Sequence, residues 1–212
     1  NNNRWKENLQ ILFDLKVNHI SSYALTVEEK TALHSLIKKK KIEEPSDEQM
    51  AQQFLQRDRL TLDPHAEITI TSGATVAIFC VIQACIHADD EVIIFDPSYD
   101  SYAPAVHLAG GKSIHINLEA PSFQVDWQKF KDHITAKTRM IIVNTPHNPT
   151  GAIWSEQDWR QLIELIKDKN IVVLSDEVYE HLVFDGQHYS ALQFPELKDR
   201  SYVIGSFGKT FH

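Results

Sequence analysis

The chain has 212 residues, 42% of them apolar, and a formal net charge of −8 at pH 7. That length holds one or two domains, the apolar share is that of a globular chain, and no apolar run approaches the length of a membrane span. The acidic balance argues against nucleic acid as the main partner, the N-terminus is too polar for a signal peptide, and two cysteines five residues apart make no disulfide framework, so a cytoplasmic protein is expected.

Residues 1–56 contain no glycine and balance 8 Lys/Arg against 8 Asp/Glu, whereas residues 57–212 hold 13 and 21 and so carry the whole net charge. The pattern of the first part predicts a helix over Trp5–Leu15, a short strand over Asn18–Ala24 and a helix over Glu28–Ile37. A basic run, Lys38–Lys41, reads as a solvated helix end. A further helix opens near Ser46, with Ser46 as N-cap and Gln49 at the capping-box position. The shift in composition near Gln56–Leu60 predicts two domains, 1–56 and 57–212.

Beyond residue 60, strand-length apolar runs alternate with helical stretches. Strands are predicted near 68–71, 91–95, 113–118, 139–143, 171–175 and 201–205, and helices over 75–86, 99–109, 126–134 and 155–168. This alternation defines an α/β fold with a mainly parallel sheet and helices on both faces. In such a sheet, function collects at the carboxyl ends of the strands.

Several segments at those ends stand out. Ser72-Gly73-Ala74-Thr75 joins the strand at 68–71 to a helix. Its small residues let the backbone approach a ligand and the free amides suit a phosphate, although such turns are also common without a function. Asn144-Thr145-Pro146-His147-Asn148-Pro149-Thr150-Gly151 is fixed by two prolines and a glycine. It is either a plain turn or one that points Asn148 into a site. The run Ile171–Ser175 leads straight into Asp176, which either delivers a carboxylate to the sheet edge or caps a helix. Tyr202–Gly205 reads as a buried strand running into Ser206-Phe207-Gly208-Lys209-Thr210. A desolvated lysine there suits Schiff-base formation, since burial favours the neutral amine. A P-loop would need glycine at position 203, where valine stands, and Ser206 with Lys209 lacks the companion motifs of a β-lactamase; a surface lysine stays open. Eleven histidines show no convincing ligand spacing, and no metal is expected.

Taken in order, these segments and Asp96-Pro97-Ser98-Tyr99-Asp100-Ser101-Tyr102 resemble the pyridoxal-phosphate enzymes of the aspartate-aminotransferase fold. These are the class I/II aminotransferases, and the similarity is to the kynurenine and methionine aminotransferase group, over about Leu60–His212. The resemblance implies pyridoxal 5'-phosphate (PLP) as cofactor, amino acid and 2-oxo acid substrates, and a homodimer. It implies that Lys209 attaches the cofactor and shuttles the proton at the substrate α-carbon. Asp176 would pair with the protonated pyridine nitrogen and keep the ring an electron sink. Tyr179 would hydrogen-bond the ring hydroxyl with Asn148 beside it, and Tyr99 would stack on the ring, although spacing alone equally allows core packing. Gly73, Ala74, Thr75 and Ser206 would hold the phosphate. A carbon–sulfur β-lyase of the same fold would show the same motifs.

The family's strand after the lysine, its basic phosphate ligand, its arginine clamp for the substrate carboxylate and its N-terminal substrate-facing turn have no counterpart in the 212 residues. An incomplete or chimeric form is therefore expected, prone to aggregate and without detectable transamination by itself. Residues Leu15–Leu33, continued over Asp47–Gln56, resemble something else: an internal piece of radical-SAM proteins of the oxygen-independent coproporphyrinogen oxidase and haem-chaperone group. The three closely spaced cysteines of the cluster signature are missing, the only cysteines being Cys80 and Cys85. This second resemblance implies two joined, unrelated gene pieces, with haem or porphyrin binding or a non-catalytic fragment as alternative functions. A divergent aminotransferase N-terminus is the competing reading.

Overall fold

The computed structural model describes residues 71–206 and, outside them, residues 39, 62, 63, 66–69 and 209. The helices, strand and radical-SAM-like piece expected within residues 1–56 lie outside the described residues, save for the exposed Lys39. The chain separates into two units, Asn1–Ile70 and Thr71–Thr210. In the first, the Glu67 N–H donates to the Asp63 carbonyl at 2.8 Å and the Asp63 N–H to the Glu67 carboxylate at 2.7 Å, which closes a turn.

The second unit is built on five strands: β1 Glu91–Asp96, β2 Lys112–Asn117, β3 Thr138–Asn144, β4 Val172–Asp176 and β5 Ser201–Ile204. They lie in the order β2-β1-β3-β4-β5 and every pair is parallel. The helices are α1 Ala74–Cys85, α2 Tyr102–Leu108, α3 Trp127–Asp132, α4 Glu156–Ile166 and the short α5 Pro195–Lys198, with a 3-10 turn at Ala191–Gln193. This is the parallel α/β sheet expected from the sequence.

The sheet's two faces sort the strand residues by parity. Ile93, Phe95, Ile141, Val143 and Val173 pack on one side with Phe130, Trp159, Leu162 and Phe194. Val92, Ile94, Met140, Ile142 and Leu174 pack on the other with Ile78, Ile82, Tyr102 and Val106. Both faces of the central strands are covered, so β1 and β3 are unbroken apolar runs rather than alternating ones. Helix ends are set locally. Ser155 and Asp158 form a reciprocal capping box at the start of α4, and the Asp126 carboxylate accepts from the Gln128 and Lys129 N–H groups at the start of α3. Gly111 lets α1, α2 and β2 meet, because a Cβ there would lie 2.6 Å from the Ile86 side chain.

Three expectations are corrected. Ile68, Thr69 and Thr71, from the strand expected at 68–71, are not in a strand. A strand needs a ladder partner, and among the described residues the five strands of the sheet pair with one another. The helix expected over 99–109 begins at Tyr102, because Tyr99 to Ser101 form the turn that enters it. The strand before Ser206 is not deeply buried: only Ile204 is buried and Tyr202 is exposed. β5 is an edge strand, so less of it is covered. Among the described residues no helix is long and apolar enough to cross a membrane.

Candidate active site

β1, β3, β4 and β5 end on Asp96, Asn144, Asp176 and Ile204. The register pairs Asn144 with Asp176 and Asp176 with Ile204, so these residues sit side by side at the carboxyl edge. Asp176 closes the strand and is followed by a turn over 178–181, so it caps no helix. Its side chain is 3% exposed.

Two donors hold the Asp176 carboxylate. The Tyr102 hydroxyl donates a very short hydrogen bond to one oxygen, and the Val178 N–H donates to the other at 3.3 Å. Burial pushes the carboxyl above its ordinary value, and these two hydrogen bonds oppose that push. Burial likewise raises the Tyr102 phenol, and the neighbouring Asp176 charge raises it further, so Tyr102 stays a donor. Behind the strand end, the Asn144 side-chain amide donates to the Asp176 carbonyl at 2.9 Å. Asn144 in turn accepts from the Asn148 N–H at 2.8 Å.

A chain of contacts runs from Asp176 to the start of α1. The Tyr102 and Tyr99 rings meet edge to face with centroids 5.6 Å apart. The Tyr99 and Thr75 hydroxyls are 3.2 Å apart. Gly73, at φ +98°, opens the helix in a conformation that disfavours any side chain. Its carbonyl accepts from the Thr71 hydroxyl at 2.9 Å, and no side chain caps the helix. The first-turn amides, those of Ala74 and Thr75 among them, therefore have no carbonyl of their own helix to bond.

Lys209 lies with its ammonium 5.7 Å from the centroid of the half-buried Tyr179 ring, in cation–π range. Its charge reaches Asp176 and pulls that carboxyl's proton affinity down, as the smallest of the influences on it. Contrary to the sequence-based expectation of a desolvated amine, Lys209 is exposed. It stands five residues beyond the edge strand, where little covers it. Ser206 is half-buried and forms no hydrogen bond with the other site residues among those described. Of the expected residues, Asp176, Tyr99 and Thr75 are thus linked through Tyr102, Lys209 meets Tyr179, and Asn148 joins through Asn144. Sequence reasoning gave no role to Tyr102 or Asn144. The available signals were that Tyr102 falls three residues after Tyr99 in the turn that enters α2 and that Asn144 is the last residue of its strand.

These residues fit PLP. Asp176 is a buried carboxylate with no Lys, Arg or His ion pair among the described residues, which is the environment a protonated ring nitrogen would complete. The uncapped start of the 12-residue α1 can take a phosphate. Removing the Tyr102 donor should leave Asp176 harder to ionise. With Tyr102→Phe we expect binding of PLP to weaken by about tenfold, the worth of one hydrogen bond to a charged group. A PLP titration followed by absorbance checks this, and an unchanged affinity would contradict the linkage.

A parallel α/β sheet carrying a buried acid, a tyrosine pair and a lysine at its carboxyl edge suits a PLP-dependent transferase. The chain belongs to the aminotransferase class I and II family, whose model matches residues 40–212. It is 48% identical over 151 residues to the methionine aminotransferase of Escherichia coli, a match that takes in 71% of this chain and 39% of that protein. It is 40% identical over 148 residues to an aspartate aminotransferase of Sulfolobus acidocaldarius, covering 68% of this chain and 37% of the relative. Among solved structures, an E. coli protein with methionine aminotransferase function superposes with a TM-score of 0.77 at 44% identity, over 78% of this chain and 44% of that one. An aromatic aminotransferase from Pyrococcus horikoshii gives 0.77 at 29% identity, over 91% and 54%. The chain spans about two fifths of the length of the curated relatives it matches. The family depends on PLP.

Proposed function

We propose that this protein takes part in PLP-dependent transfer of an amino group from an amino acid to a 2-oxo acid, with methionine, aromatic amino acids or kynurenine as donors. The observation that carries the reading is Asp176, a buried carboxylate at the end of a parallel strand, held by Tyr102 and within reach of the Lys209 charge. Methionine is placed first because the relative named for it is 48% identical over 71% of this chain, against 40% for one named for aspartate and 35% for one named for aromatic substrates. A cytoplasmic homodimer, and a boundary between residues 1–56 and 57–212, belong to the same reading.

When bound, PLP supplies an electron-accepting ring. The rest of the work falls to the chain. Asp176 would hold a proton on the ring nitrogen, because a buried carboxylate is more stable beside a cation than alone. Tyr102 and the Val178 N–H keep that carboxylate aimed and ionised. Amides at the start of α1 and the Thr75 and Ser206 hydroxyls would hold the phosphate, and Tyr99 would lie against the ring. Tyr179 and Asn148 would hydrogen-bond the ring hydroxyl. Lys209 would hold the cofactor and move the proton at the substrate α-carbon, a general acid–base role contributing roughly 10²–10⁴-fold.

The experiment is incubation of the chain, extended at its C-terminus with the C-terminal part of the E. coli methionine aminotransferase, with PLP, methionine or phenylalanine and a 2-oxo acid, the new amino acid and new oxo acid being measured together. Stoichiometric appearance of both supports amino transfer. Release of pyruvate and ammonia from a cysteine conjugate, without amino transfer, would mark a carbon–sulfur β-lyase instead.

A further inference from the structure

Glu177 follows Asp176 and is 0% exposed. One carboxylate oxygen accepts from the Ser175 hydroxyl at 2.7 Å and from the Ala191 N–H at 3.0 Å. The other is 3.0 Å from Nε2 of His188. The Glu177 N–H donates to the carbonyl of Ile204, the last residue of β5, at 2.8 Å. One residue therefore ties together the end of β4, the segment entering the 3-10 turn, and the strand that leads on to Ser206 and Lys209.

We propose that Glu177 is the positioning residue of this site: its side-chain clamp to Ser175, Ala191 and His188 fixes the end of β4 that carries Asp176, and its backbone N–H holds that end to Ile204 of β5. The inference rests on the PLP reading given above. The side chains on either side of Asp176 in sequence, Ser175 and Glu177, bond each other, while Asp176 bonds Tyr102 in the opposite layer. The strand end is thus pinned from both faces. Glu177, Glu180 and His188 also bring ligand-type atoms within 4.8 Å of one another. Three donors already occupy the Glu177 oxygens, and that arrangement is a hydrogen-bonded clamp. The charge of Glu177 adds to the upward push that burial exerts on Asp176. The Lys209 charge opposes both.

The geometry demands a particular side chain. Aspartate is one methylene shorter, so from the same backbone it cannot reach Ala191 and His188 together. Glutamine keeps one oxygen for Ser175 and Ala191 and can offer an N–H to Nε2 of His188 once that ring takes the tautomer protonated at Nδ1. Glu177→Ala and Glu177→Asp should therefore weaken PLP binding by about tenfold or more, and Glu177→Gln should stay within about threefold of the parent, since small misplacements of site groups are costly.

The test titrates the full chain and each variant with PLP, reading the dissociation constant and the absorbance maximum of the bound cofactor, with far-UV circular dichroism as the fold control. In Glu177→Asp the maximum should move toward that of free PLP, and in Glu177→Gln it should match the parent. Should Glu177→Ala fail to fold, Ser175→Ala removes a single donor and is expected to weaken binding about threefold with the same direction of spectral change. Parent-like affinity and spectrum in Glu177→Asp and Ser175→Ala, or a Glu177→Gln variant as poor as Glu177→Asp, would overturn the positioning role alone. No PLP binding by the parent chain would overturn the PLP reading and this inference with it.

Discussion

Asp176→Asn should move two quantities in opposite directions: the cofactor-free chain becomes more stable at neutral pH, and PLP binds far more weakly. The first follows from linkage. The folded-state pKa of Asp176 is raised above its ordinary 3.8, chiefly by burial. Between those two values the folded state binds more protons than the unfolded one, so stability falls as pH rises through that window. The contribution is fully present below 3.8 and is lost above the raised value. Asparagine never ionises, so the variant escapes that loss; its Oδ1 can still accept from the Val178 N–H, and its Nδ2–H can donate to the Tyr102 hydroxyl oxygen. The gain in melting temperature should therefore be largest at neutral pH and shrink toward zero in acid. The second effect follows because the ring nitrogen loses its buried counter-charge. Breaking such a pair costs about 3–5 kcal/mol, roughly two to three and a half decades in affinity. Thermal melts across pH without cofactor, and PLP titration at neutral pH, measure both. A variant that binds PLP like the parent would remove Asp176 from its role.

Trp159→Ala should be among the most destabilising single changes in the chain. Trp159 is fully buried, its ring lies 4.9 Å from that of Trp154 and 6.0 Å from that of Phe194, and its Nε1–H donates to the Tyr189 carbonyl at 2.9 Å. Truncation leaves a cavity beside Trp154 and Phe194 and an acceptor without its donor. Large-to-small changes of this kind cost about 3–5 kcal/mol against a typical total of about 5–15. Urea unfolding followed by circular dichroism should show the midpoint falling accordingly. A loss below about 1 kcal/mol would mean the layer collapses to fill the space.

Much of the sheet is legible in the sequence, because central parallel strands need apolar residues on both faces. Val92–Phe95 and Met140–Val143 announce themselves for that reason. Asp176 and Asn148 are legible through their positions next to strand ends. Other features depend on contacts between distant segments. Nothing local marks Tyr102 as the donor to a carboxylate 74 residues away, or Glu177 as the acceptor for Ala191 and His188. The segment Ile68–Thr71 has the composition of a strand, yet a strand exists only with a partner, and composition does not supply one. Tyr202–Gly205 misleads in the same way: an apolar run reads as buried, while an edge position leaves Tyr202 exposed.

The central claim is that Lys209 is the residue that attaches the cofactor. Incubating the chain with PLP, reducing with borohydride and mapping the peptides by mass spectrometry tests it most directly. The expected result is a single dominant label on Lys209, the lysine over Tyr179 whose charge reaches Asp176. A label spread over surface lysines such as Lys112, Lys129 and Lys167, with Lys209 no more modified than they are, would contradict the account.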